Sequence, residues 1–109
     1  MSIRTLRSRS ELQMLITEYP LVIVAAVING FEPADMEFER LAQSKQEYST
    51  RVAFAKFIVE EVSELAEDFQ IHEAATIIAF CLCEKDKTFA GFDPPKWEEM
   101  VMTAIRRVL

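Results

Sequence analysis

The sequence predicts an α/β domain in which a mixed β-sheet carries helices on both faces. Three observations point to this class. Three long, almost unbroken apolar runs, 21–28 (LVIVAAVI), 52–59 (VAFAKFIV) and 75–83 (ATIIAFCLC), read as strands buried on both sides. The segments between them repeat apolar residues at i, i+3, i+4 and i+7, the period of a helix with one buried face. A charged tetrad, Glu84-Lys85-Asp86-Lys87, then separates the third run from Thr88-Phe89-Ala90, as a hairpin turn and its return strand would.

Taken in order, residues 2–7 (SIRTLR) form a short strand. Ser10 starts the first helix, with Gln13 at capping-box spacing. Leu12, Leu15, Ile16 and Tyr19 make its apolar face, and Pro20 ends it. The run 21–28 closes at Asn29-Gly30, and the second helix spans Pro33 to Tyr48, with proline in its first turn. Phe38, Leu41, Ala42 and Tyr48 share its inner face, Asp35 can sit outside, and Asp35 and Glu37 suit the positive end of its dipole. Residues 60–69 (EEVSELAEDF) place Val62, Leu65, Ala66 and Phe69 on one side of a short helix. In the last helix Asp93 is the cap and Pro94 the first position, and Trp97, Val101, Ala104, Ile105 and Val108 face inward. Strands joined through helices should run parallel with right-handed crossovers, and the hairpin strand antiparallel. No repeat, low-complexity tract or linker interrupts the chain, so 1–109 is expected to be one domain.

Charge and composition narrow the function classes. Twelve basic against eighteen acidic residues give a net charge of −6, which argues against nucleic acid as the partner. Arg4, Arg7 and Arg9 read as solvated charge on an edge strand and loop. No window reaches the ~20 apolar residues of a membrane span, and no apolar signal core follows the arginines. A reducing compartment, cytoplasm or nucleus, is therefore the expected setting. Glu60, Glu61, Glu64, Glu67 and Asp68 read as a solvated helix face, because no histidine or asparagine ligand set accompanies them. Neither a metal nor a cofactor is expected. His72 has no nucleophile beside it and reads as exposed; Met36, Met100 and Met102 read as helix packing.

Cys81 and Cys83 are the two thiols. At strand spacing they would share a face and lie close. They read either as inert packing residues or as a redox pair, although a C-x-C disulfide closes a tight ring. Two thiols without two further ligands do not make a zinc site.

In order and in lengths, the segments resemble thioredoxin over essentially the whole chain. The resemblance rests on LVIVAAV before a turn that contains Pro33, on VAFAKFIVEEVSELAEDFQI, on ATIIAF, on Phe89-Ala90-Gly91 and on PPKWEEMVMTAI. It implies the thioredoxin fold, in which a parallel set of strands is joined to a C-terminal antiparallel hairpin. It also implies a site, and there this chain departs from the pattern. Thioredoxins reduce disulfides through C-x-x-C at a helix N-terminus, where the first thiol is a thiolate nucleophile. Here the matching tetrad is Phe31-Glu32-Pro33-Ala34, with Phe31 at the nucleophile position and Ala34 at the resolving one. Gly30 stands for the family's tryptophan, Ala25 for its buried aspartate and Ala75 for its cis-proline. A non-proline cis bond costs ~2.5–4 kcal/mol, so a trans Ala74–Ala75 bond is expected. Lys56 matches a lysine near that aspartate and is expected to lack an ion-pair partner.

Two functions follow as expectations. The first is a non-catalytic interaction or scaffold module that binds another protein, or a second copy of itself as a homodimer. Its surface would comprise Gly30, Phe31, Glu32, Pro33, Glu73, Ala74, Ala75, Gly91 and Phe92. Phe31 and Phe92 would be surface neighbours, unless Phe31 folds inward to fill the place of the missing tryptophan. The alternative is an atypical thiol-disulfide oxidoreductase or redox sensor that uses Cys81 and Cys83.

Overall fold

The computed structural model describes residues 3–72 and 75–109. The elements run β1 (Arg4–Thr5), α1 (Arg9–Glu18), β2 (Leu21–Val27), α2 (Glu32–Ser44), β3 (Val52–Ile58), α3 (Ser63–Asp68), β4 (Ala75–Cys81), β5 (Glu84–Ala90) and α4 (Pro94–Val108). One five-stranded sheet has the order β1-β3-β2-β4-β5. β2 lies at its centre and every residue of it is buried, as the unbroken apolar run requires.

Alternation along the strands divides the core in two. On one face Leu21, Ile23, Ala25 and Val27 meet Phe38 and Leu41 of α2 and Trp97 and Val101 of α4. On the other, Val22, Val24 and Ala26 meet Leu12, Leu15 and Ile16 of α1 and Leu65 of α3. Each fully buried leucine or phenylalanine contributes about 1.5–3 kcal/mol. No helix among the described residues is long and apolar enough to cross a membrane.

Strand direction departs from the sequence expectation. β1, β2 and β3 run parallel, but β4 is antiparallel to β2 although a helix joins it to β3. The chain re-enters the sheet at the end where β3 left it, and the connection carries only the six-residue α3, less than two turns of helix, not a crossover helix running the length of the strands. β5 returns antiparallel to β4 and forms an edge, where Glu84, Lys85, Asp86 and Lys87 discourage further strand pairing.

Several boundaries also move. The cap of α1 is Ser8, whose hydroxyl accepts the Glu11 N–H at 3.2 Å, while the Glu11 carboxylate accepts the Arg7 N–H at 2.9 Å. Ser8-x-x-Glu11 competes better than Ser10-x-x-Gln13, because an ionised carboxylate accepts more strongly than an amide. α2 stops at Ser44, and a 3-10 turn over Gln46–Tyr48 leaves Tyr48 half-buried against the core. Its first-turn acids are Glu32 and Asp35, while Glu37 pairs with Arg40. α3 begins at Ser63, which leaves Glu60 and Glu61 in the preceding turn. Met36 is exposed, whereas Met100 and Met102 pack on the core. Arg4 and Arg9 are exposed but bonded within the chain, Arg4 to Tyr19 and Arg9 to Asp68.

The hairpin turn is Leu82-Cys83, not the charged tetrad, which belongs to β5. Both turn residues have positive φ, 52° and 74°. Two-residue hairpins favour such turns because their twist matches the strands, although Asn-Gly is the usual sequence.

Candidate functional site

The carboxyl end of β2 opens into a tight turn. The Phe31 N–H donates to the Ile28 carbonyl at 3.2 Å, and Gly30 takes φ +87°, a conformation that glycine adopts without steric cost. The Asn29 N–H donates to the carboxylate of Glu60, at 3.1 and 3.3 Å to its two oxygens. Glu60 follows β3 closely, so the ends of two neighbouring strands hold the turn. Phe31 then caps α2 without a side-chain bond, and Pro33 sits in the first turn, where a missing N–H costs nothing.

A second support comes from the loop between β5 and α4. The Gly91 N–H donates to the Ala75 carbonyl at 2.7 Å, and the indole N–H of Trp97 donates to the Gly91 carbonyl at 2.9 Å. These bonds fix Phe92, whose ring meets Phe31 edge-on with centroids 5.5 Å apart. Phe92 also meets Trp97 edge-on at 5.5 Å, and Trp97 meets Phe38 at 6.4 Å. An aromatic row thus runs from the surface into the core. Phe31 is half-buried against the core, and Phe92 is 38% exposed. Both sequence readings of Phe31 therefore describe part of it: it packs inward and it borders Phe92 at the surface.

Behind the turn, Ala25, Ala34 and Ala75 are fully buried among apolar side chains. Ala25 pairs across the sheet with Lys56 on one side and Ile77 on the other. Lys56 does not lack a partner: its ammonium lies 3.0 Å from the Asp35 carboxylate of α2. The acid missing at position 25 is supplied by the helix instead. Glu73, Ala74 and the Ala74–Ala75 bond lie outside the described residues. The turn therefore presents aromatic and carboxylate groups but no thiol, hydroxyl or imidazole.

The two cysteines lie at the other end of the sheet. Cys81 pairs with Leu21, six strand steps or ~20 Å from the Val27–Ala75 pair. They do not share a face, because Cys83 belongs to the turn. Cys81 packs on the side of α2 and α4, whereas the Cys83 thiol lies 3.3 Å from the Ile16 carbonyl of α1. Both are free. The Cys81 thiol donates to Asp86 at 3.7 Å. Burial, and then the charge and hydrogen bond of Asp86, push its pKa up, with Arg107 opposing. A raised pKa leaves little thiolate at neutral pH, the reverse of what a nucleophilic cysteine needs.

His72 is exposed and makes no hydrogen bond among the described residues, and those residues hold no cluster of three or more potential metal ligands. A groove along Arg4, Tyr19, Gln46, Ser49 and Val52 opens near the amino ends of the strands, but its phenol is engaged by Arg4 at 3.0 Å and no histidine or carboxylate lines it to activate the Ser49 hydroxyl. Sequence reasoning missed the anchoring roles of Glu60 and Asp35. Both look like ordinary helix-face acids when the helix bounds are unknown.

No protein-family model matches this sequence, and no curated protein matches it. Solved structures do. A thioredoxin of Plasmodium falciparum superposes over 93% of this chain and 98% of its own, with a TM-score of 0.81 and 21% identity. The chain has the thioredoxin fold. An Entamoeba histolytica thioredoxin, in a cysteine-to-serine mutant form, is similar over 94% of this chain and 100% of its own, with a TM-score of 0.83 and 20% identity. A Schistosoma mansoni thioredoxin is similar over 95% and 99%, with a TM-score of 0.80 and 22% identity. Within the thioredoxin fold, the Phe31 turn is the stretch that joins the central strand to the following helix at the carboxyl edge of the sheet, where sites in open α/β sheets gather.

Proposed function

We propose that this chain is a redox-inactive thioredoxin-like protein, a degenerate member without C-x-x-C, and that its former active-site face is a protein-protein contact. The observation that carries this reading is the edge-to-face pair of Phe31 and Phe92, held from two sides at the end of the central strand. Rigid, part-exposed aromatic side chains are the residues that anchor interfaces, since they bury large area at little entropic cost. Gly30, Pro33 and Gly91 complete the face, and Glu73 and Ala74 adjoin it in sequence, while Ala75, expected on the surface, is buried in the core behind it. The bound protein is another chain or a second copy of this one. A cytoplasmic setting suits two free thiols.

The oxidoreductase alternative, with Cys81 and Cys83 as the couple, finds less support. The two thiols sit on different sides of the hairpin, and Cys81 is held protonated.

The test is affinity capture from the native cells, with wild type and Phe31→Ser compared side by side at matched thermal stability. The reading expects specific partners, or self-association, that weaken at least tenfold in the variant. Equal capture by both proteins contradicts it.

A further inference from the structure

We propose that the Phe31–Phe92 face selects a basic segment of its partner: an extended stretch that lays an arginine across the rings and onto the Glu60 carboxylate. The inference rests on the contact face proposed above and adds the chemistry it recognises. Glu60 is bound to the turn that presents Phe31, through the Asn29 N–H, so its carboxylate and Phe31 are carried by the same turn. Glu60 stays exposed, and its anchoring bond is to a neutral N–H, which leaves its charge uncompensated. Glu32, next to Phe31, is exposed as well. Neither has an ion-pair partner among the described residues. Other acids, such as Glu39 and Glu84, are likewise unpaired among the described residues, but Glu60 and Glu32 are the ones attached to the turn that carries Phe31.

The basic groups on this side do not alter the balance. Lys56 is engaged by Asp35, and Lys96, in the first turn of α4, lines a groove with Lys87, Thr88 and Met100 along β5 and not the Phe31 turn. A neutral apolar ligand would cover the rings but strip water from two carboxylates without replacing it, which is costly. An acidic ligand would be repelled. A guanidinium meets both demands, because it stacks on aromatic rings and bonds carboxylates in a bidentate fork.

Fluorescence anisotropy with labelled Gly/Ser peptides tests this. Each peptide has a central Leu-X-Leu, with X arginine, its neutral isostere citrulline, or glutamate. In Glu60→Gln the amide oxygen still accepts the Asn29 N–H, so the turn is kept while the charge goes. Glu47→Gln, at the opposite end of the sheet, is the control for net charge. The arginine peptide should bind wild type, and citrulline should weaken it roughly three- to fivefold. Glu60→Gln should weaken the arginine peptide by a similar factor, leave the citrulline peptide unchanged, and Glu47→Gln should do neither. The idea is overturned by equal affinity for arginine and citrulline, by equal losses in Glu60→Gln and Glu47→Gln, or by no binding of the arginine peptide at about 1 mM, the weak end of specific affinity. If Phe31→Ser weakens every peptide while charge has no effect, the contact face survives and the selectivity fails. If Phe31→Ser changes nothing, the contact face fails with it.

Discussion

Lys45 shows how much a single residue can be decided by its surroundings. It ends α2 at only 7% exposure, and its ammonium reaches Glu98 of α4 at 2.7 Å. Nothing in the sequence marks it, because a lysine at a helix end normally reads as solvated. Removing the partner leaves a buried charge unpaired, whereas replacing the lysine itself removes the problem. Glu98→Ala should therefore cost about 1–3 kcal/mol, and Lys45→Met should be near neutral. Urea denaturation of the two variants checks the order; a larger cost for Lys45→Met would contradict it. The cysteines offer a second contrast. Cys83 is exposed, while Cys81 is half-buried with its pKa raised by burial and Asp86. A raised pKa keeps the thiol protonated until the pH passes the usual thiol value, so labelling of Cys81 should lag and rise late. Mass spectrometry after iodoacetamide treatment of the native protein at pH 8 should find Cys83 modified first.

At the scale of elements, what the sequence conveyed and what it hid have physical causes. The apolar runs 21–28 and 52–59 became β2 and β3 to within a residue, because strands buried on both sides leave few alternatives. Asp93-Pro94 marked the start of α4 correctly for a local reason, since the aspartate accepts the Lys96 N–H. The hairpin was misread because ATIIAFCLC runs past the strand: Leu82 and Cys83 look like strand residues, yet the ladder forces them into the turn. The charged tetrad looked like a turn but is an exposed edge. This makes the turn a place of stored strain, since two non-glycine residues hold positive φ at a cost of order 1–3 kcal/mol each. The double change Leu82→Asn with Cys83→Gly should raise stability by about 1 kcal/mol or more, visible as a higher thermal midpoint. A lower midpoint would show that the exposed Leu82 or the Cys83–Ile16 contact matters more than the backbone.

For the whole molecule, the sheet brings to one end what a thiol site would need in position but not in chemistry. The ends of β2, β3 and β4 and the loop after β5 converge on Phe31 and Phe92, while both thiols are carried to the far end. Phe31 and Phe92 were legible as neighbours at that end, because the order of strands and closing helix places them there, whereas Ala75, read as surface, is buried. The sequence did not show that Glu60 braces the turn or that Asp35 meets Lys56, since both contacts depend on where helices begin. The proposed role is that of a face that binds a protein without exchanging electrons. The direct measurement is dithiothreitol-driven reduction of insulin disulfides, with wild type compared with reductant alone and with Cys81→Ser. The account predicts that wild type does not exceed the reductant alone. Turnover above that background, lost in Cys81→Ser, would contradict it.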